Sequence, residues 1–219
     1  MNTVLKKVAI AATISCALSS TAFAGASANI GVMSDYVWRG WTQNNNKPSV
    51  MGGLDYEASN GLYVGTWAAQ QANDGKDYEL DLYGGYSKEL SSGLGFDIGA
   101  IKYAYPGDHI DFTEIYLNGS YKFVEIGVAK TIAADNSDSK GDLYSHITLS
   151  KDFDPVSVSA TYGNTNFHAS GAKSVNHAQL AATYSIPNNV GDLTVAFDTT
   201  DETGSSPIAS LTYSKSFDF

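Results

Sequence analysis

Ala28 to Gly40 reads ANIGVMSDYVWRG. Taken with a period of two, its even positions are Ala28, Ile30, Val32, Ser34, Tyr36 and Trp38, an apolar row closing on two aromatics. The odd positions, Asn29, Gly31, Met33, Asp35, Val37 and Arg39, include an acid and a base. Successive side chains on a strand point to opposite faces, so this alternation marks a strand and not a helix. A run of about eleven residues exceeds the usual strand of a soluble sheet but suits one crossing a bilayer at a ~45° tilt. The stretch is therefore expected to be the first strand of an outer-membrane β-barrel, with its even row in lipid and its odd row in the lumen.

Upstream, Lys6 and Lys7 precede a short apolar run, Val8 to Leu18, and Ala22-Phe23-Ala24 forms an A-x-A cleavage site. Residues 1–24 are expected to be a signal peptide, and residues 25–219 the barrel domain. The single cysteine, Cys16, falls within the leader, and Thr13-Ile14-Ser15 before it fits a lipoprotein signal poorly. Disulfides and thiolate metal sites are then not expected in the mature chain. Taking Lys6 and Lys7 from the 13 basic residues leaves 11 against 23 acids, a net charge of −12. That balance excludes nucleic acid as an expected partner.

Downstream the alternation recurs. Strands are expected over Val50–Glu57, Leu62–Ala69, Tyr78–Ser87, Leu94–Tyr105, Phe112–Tyr121, Phe123–Thr131, Leu143–Lys151, Val156–Gly163, Ala178–Ser185, Leu193–Thr199 and Ile208–Phe219. With the first, these make about twelve strands of an all-β, antiparallel, up-and-down barrel. In the fifth strand the parity changes near Ile101, where a bulge is expected. Tyr78 to Ser87 alternates most sharply: Tyr78, Leu80, Leu82, Gly84 and Tyr86 face one way, Glu79, Asp81, Tyr83 and Gly85 the other. The connections alternate between long and short, as outer loops and periplasmic turns do in such barrels. Motifs such as Leu82-Tyr83-Gly84-Gly85-Tyr86-Ser87-Lys88 and Leu211-Thr212-Tyr213-Ser214-Lys215 recur about one hairpin apart along the chain. The glycine pairs Gly52-Gly53 and Gly84-Gly85 are expected to be curvature points of the wall.

On this parity the lumen receives Asp35, Arg39, Asp55, Glu57, Glu79, Asp81, Asp97, Glu114 and Glu125, eight acids to one base. Such a lining would concentrate cations, unless the charges pair inside a plugged barrel. Asp35 and Arg39, ~13 Å apart along an extended strand, are too distant to pair, so Arg39 is expected to meet an acid on another strand. Tyr36, Trp38, Tyr56, Tyr78, Tyr86, Tyr121, Tyr184, Tyr213 and Phe217 are expected at the membrane interfaces, where aromatic girdles lie. The terminal Phe219 is expected to be the signal read by the barrel-assembly machinery.

Nothing points to catalysis, a metal or a cofactor. His109, His146, His168 and His177 show no paired ligand spacing. Asp135 to Asp142 has Lys140 at a would-be calcium ligand position and no Glu at the end. The expected partners are outer-membrane lipid and lipopolysaccharide, the assembly machinery and small polar solutes. A passive channel is the leading expectation. A closed structural or surface-binding barrel is the alternative, and an outer-membrane lipase-type enzyme the third.

The segment Ser34-Asp35-Tyr36-Val37-Trp38-Arg39-Gly40-Trp41-Thr42-Gln43 resembles the signature S-D-Y-x-F-R-G-x-S/T-Q of the TorF-type porins of Gram-negative bacteria. The similarity extends to Gly52-Gly53-Leu54-Asp55-Tyr56, Gly61 to Trp67 and Glu79 to Tyr86, with Trp38 where the family usually has Phe. The resemblance implies a porin-like outer-membrane barrel and brings no substrate with it.

Overall fold

The computed structural model describes residues 25–71, 78–107 and 109–219. The expected signal peptide lies outside them. Among the described residues fourteen strands follow in order: β1 (Gly25–Met33), β2 (Val37–Trp38), β3 (Trp41–Thr42), β4 (Ser49–Glu57), β5 (Leu62–Gln70), β6 (Tyr78–Glu89) and β7 (Leu94–Ala104). They continue as β8 (Phe112–Tyr121), β9 (Val124–Ala134), β10 (Leu143–Phe153), β11 (Val156–Asn166), β12 (Val175–Ile186), β13 (Gly191–Thr200) and β14 (Ile208–Asp218). All but β2 and β3 form one closed antiparallel barrel, in which β1 pairs with both β4 and β14. The closing seam is extended by the Phe219 N–H to the Ala26 carbonyl at 2.9 Å and the Ser34 N–H to the Leu211 carbonyl at 2.8 Å.

The two rows of each strand face two different solvents. Ile30 and Val32 on β1, Leu54 on β4, Val64 on β5, Leu82 on β6 and Phe197 on β13 are all exposed on the outside. Such a belt is far larger than a monomer leaves open to water, and it is the surface of a transmembrane barrel. At the short-turn end, Tyr56, Tyr121, Tyr184 and Phe217 stand exposed on the outer wall, with Tyr86 and Tyr213 half-buried beside them. Tyr78 is exposed on the outer wall at the other end.

Short turns at residues 58–61, 90–93, 122–123, 154–155 and 187–190 share one end of the barrel. At Asn60-Gly61 the chain needs a left-handed residue, and Gly61 supplies it at φ 92°.

Two expectations about this wall are corrected. The first strand stops at Met33, not Gly40, because the chain turns inward at Ser34-Asp35. Alternation in β7 runs unbroken from Leu94 to Ala104, and Ile101 simply faces inward, 3% exposed, in a cluster with Tyr103 and Tyr105. The bulge lies instead between β8 and β9, where Thr113 pairs with Ala133 and Glu114 with Thr131, leaving Ile132 unpaired. Several inward glycines receive rings from the facing strand. Gly65 lies opposite Tyr83, Gly85 opposite Tyr63, Gly99 opposite Tyr116 and Gly127 opposite His146. At each of these a Cβ would run into the facing ring.

Candidate functional site

Residues 34–48 fold into the barrel as a small hairpin. Val37 pairs with Thr42 and Trp38 with Trp41, and Arg39 and Gly40 form the tip at φ 50° and 89°. Two successive positive φ angles are what a two-residue hairpin turn requires. Within the hairpin, Thr42 Oγ1 donates to Asp35 at 2.7 Å and the Gln43 N–H to the Tyr36 carbonyl at 2.6 Å. Burial raises the Asp35 carboxyl above its usual range, an effect partly offset by Thr42.

The hairpin is fastened to the wall at several points. Arg39 donates to both oxygens of Glu114 on β8, Nη1 at 2.9 Å and Nη2 at 2.7 Å. Its guanidinium lies between the faces of Trp38 and Tyr144, 4.2 and 3.9 Å from the ring centres. Burial works against that charge, and Glu114 more than offsets it, so the Arg39 pKa is raised. Tyr36 donates its hydroxyl to Glu79 on β6 at 2.7 Å and sets its ring edge against Trp67 at 5.4 Å. Burial first, then Glu79 and Asp81, hold its phenol protonated well above the ordinary range. Gly40 abuts the far wall, since a Cβ there would meet Thr200 Cγ2 at 2.5 Å and His177 Cβ at 2.9 Å. Trp41 donates to Glu202 in the loop after β13 at 2.7 Å.

Tyr36 and Trp38 are therefore not interface aromatics. Tyr36 is 4% exposed inside the barrel, and Trp38 packs on Tyr103 and Phe112. Any extended segment alternates, and alternation does not say which surface the apolar row meets.

The nine charged residues expected in the lumen all lie on the inner side. Glu79, Asp81, Asp97 and Glu114 are buried in the wall, and Asp35 and Arg39 reach the interior through the hairpin. Asp97 accepts from Tyr63 at 2.6 Å, Asp55 from Tyr83, and Glu125 meets His146 at 3.2 Å. Glu57 points inward at the short-turn end of β4. Further polar groups share the interior. Asp198 is 2% exposed and accepts from Gln179 at 2.9 Å, and His177 is paired with the Tyr144 hydroxyl at 2.9 Å. The parity of β10, β12 and β13 could have found Tyr144, Gln179 and Asp198. His177 fell just outside its expected strand.

Below the hairpin tip the interior keeps a cavity of ≈ 50 Å³ bordered by Arg39, Glu114, Tyr116, Asn118, Tyr144 and His146. That space holds a few waters and no larger solute. Among the described residues no group of three or more His, Cys, Asp or Glu could hold a metal. His109 and His168 lie in loops, while His146 and His177 face inward.

A family model described as "Bacterial protein of unknown function (Gcw_chp)" matches residues 9–213. No curated protein matches the chain in sequence. Among solved structures, the KdgM porin superposes with a TM-score of 0.59 at 10% identity, covering 88% of this chain and 99% of its own. The KdgM porin in complex with disordered oligogalacturonate gives 0.57 at 8% identity, covering 89% and 99%. At these identities the likeness is one of fold.

Proposed function

We propose that this chain, which belongs to the Gcw_chp family of bacterial proteins of unknown function, is an outer-membrane channel for passive diffusion of small hydrophilic solutes, preferring cations. The observation that carries this reading is a closed wall, apolar outside and polar inside, narrowed by a hairpin that arises from its own first connection. The expected signal peptide and the C-terminal Phe219 fit delivery to the outer membrane by the barrel-assembly machinery. Lipid and lipopolysaccharide would then surround the outer belt. The segment that resembles the TorF-type porin signature, Ser34 to Gln43, falls on the hairpin itself.

The cation preference rests on charge accounting at the constriction. Arg39 is matched by Glu114, and Glu79, Asp81 and Asp198 remain as an excess of acid, with Asp97 further along the lumen toward the short-turn end. Fixed negative charge in a narrow, low-dielectric passage favours cations. An acidic saccharide such as the oligogalacturonate held by the KdgM porin is a poor match to this wall. A second reading is favoured by the hairpin's contacts with opposite sides of the wall: a barrel sealed by its hairpin, serving as a structural or surface-binding protein.

Single-channel recording of refolded protein in planar bilayers decides between them. The channel reading expects small openings with a cation-selective reversal potential, and a several-fold larger conductance when residues 35–43 are replaced by a short Gly-Ser linker. A silent full-length protein beside a conducting linker variant would favour the sealed barrel. An anion-selective reversal potential, or silence in both proteins, would reject the channel.

A further inference from the structure

Asp81 sits on the inner row of β6 with 0% exposure, and neither carboxylate oxygen has a hydrogen-bond partner. Asp35, Asp97 and Asp198 each leave only one oxygen in that state. Its neighbour on the same row, Glu79, is 2% exposed and is held by the Tyr36 hydroxyl at 2.7 Å and Gln71 Nε2 at 2.6 Å. The Arg39 guanidinium, which the hairpin carries into the barrel, is committed to Glu114 on both oxygens. An ionised carboxylate buried without donors or a counter-charge is among the costliest groups a fold can carry. A positive charge from outside the chain would remove that cost.

We infer that Asp81 and Glu79 together hold one divalent, oxygen-preferring cation of the calcium type beneath the hairpin. Two carboxylates match two positive charges. The groups set against Glu79 are the Tyr36 hydroxyl and the Gln71 side-chain amide, whose oxygen would enter the shell with the amide turned over, and neither is a thiolate or an imidazole. Calcium accepts irregular oxygen shells, whereas magnesium demands an octahedron and sheds its water reluctantly, which a closed pocket disfavours. Asp81 faces Trp67 on β5 and Tyr103 on β7 across the sheet, and Tyr36 packs on Trp67. A cation there would tie the hairpin to β6 and to the end of β5. The inference does not depend on conduction, because a sealed barrel would bind the ion equally.

The test uses full-length refolded protein in detergent, stripped with EDTA and then titrated with calcium chloride by calorimetry and by thermal melting. Wild type is expected to bind one calcium, and its melting temperature should climb with the logarithm of calcium concentration. Magnesium should bind about tenfold more weakly or worse. Asp81→Asn should show neither binding nor shift, and in EDTA should melt at or above wild type, since the amide relieves the unpaired charge. Glu89→Gln, at the exposed end of the same strand, should respond as wild type does. A wild type indifferent to calcium would overturn the site, as would an Asp81→Asn protein that still responds. Stabilisation of calcium-free wild type by mild acid alone, with no response to calcium, would assign the neutralising charge to a proton and overturn it too.

Discussion

Arg39 carries its charge to the middle of the barrel on a left-handed backbone, φ 50°, and meets Glu114 on two oxygens between two aromatic faces. Breaking a buried ion pair from one side leaves the other charge stranded, which costs about 3–5 kcal/mol. Glu114→Ala should therefore lose about that much in urea unfolding followed by tryptophan fluorescence. The double change Arg39→Met with Glu114→Leu should recover most of it, because the desolvation cost disappears along with the pair. That such a pairing exists was readable: Arg39 had no acid within reach on an extended strand, so its partner had to come from elsewhere. That the partner is Glu114 was not readable, because the residue is reached only by folding the segment inward. The same turn hid the true place of Tyr36 and Trp38.

Strand β6 illustrates what alternation does reveal. Its inward Glu79 and Asp81 and its outward Leu82 were assigned from parity alone, and the wall has them on those faces. The roles of its glycines were not legible, since a glycine that bends a strand and one that receives a ring look alike in sequence. Gly85 lies opposite Tyr63, whose hydroxyl bonds Asp97 at 2.6 Å. A methyl at Gly85 would stand 2.8 Å from the Tyr63 Cζ and would also crowd the Ile98 carbonyl. Gly85→Ala should cost about 1–3 kcal/mol by overpacking, measured by the same unfolding transition. Gly119→Ala on β8, where a Cβ meets nothing within 4 Å, should leave the transition nearly unchanged. The bulge at Ile132 left no mark in the alternation. It depends on how two strands align, and one strand's pattern does not carry that.

For the molecule as a whole, the even number of barrel strands and the split between short turns and long loops were legible because each strand repeats one two-faced design. Hairpin insertion was not, since it depends on what the closed ring leaves room for. Closure brings Phe219 beside β1, where only its backbone N–H is engaged and the residue is 81% exposed. Phe219→Ala should accordingly leave the melting temperature of refolded protein unchanged while lowering the fraction assembled in the membrane of living cells. Thermal melting of refolded protein would check the first, and cell fractionation with heat-modified gel mobility the second; an assembled fraction equal to wild type would remove Phe219 from any targeting role.

The hairpin leaves the rim between β1 and β4 and touches β6 through Tyr36, β8 and β10 through Arg39, and β12 and β13 through Gly40. It is thus a hub with spokes running to much of the circumference. An empty cylinder flattens readily under sideways load, because its wall can ovalise at little cost. A spoked one resists, since every flattening must stretch or crush a contact at the centre. Lateral pressure in a crowded bilayer should deform this ring less than its width alone would suggest.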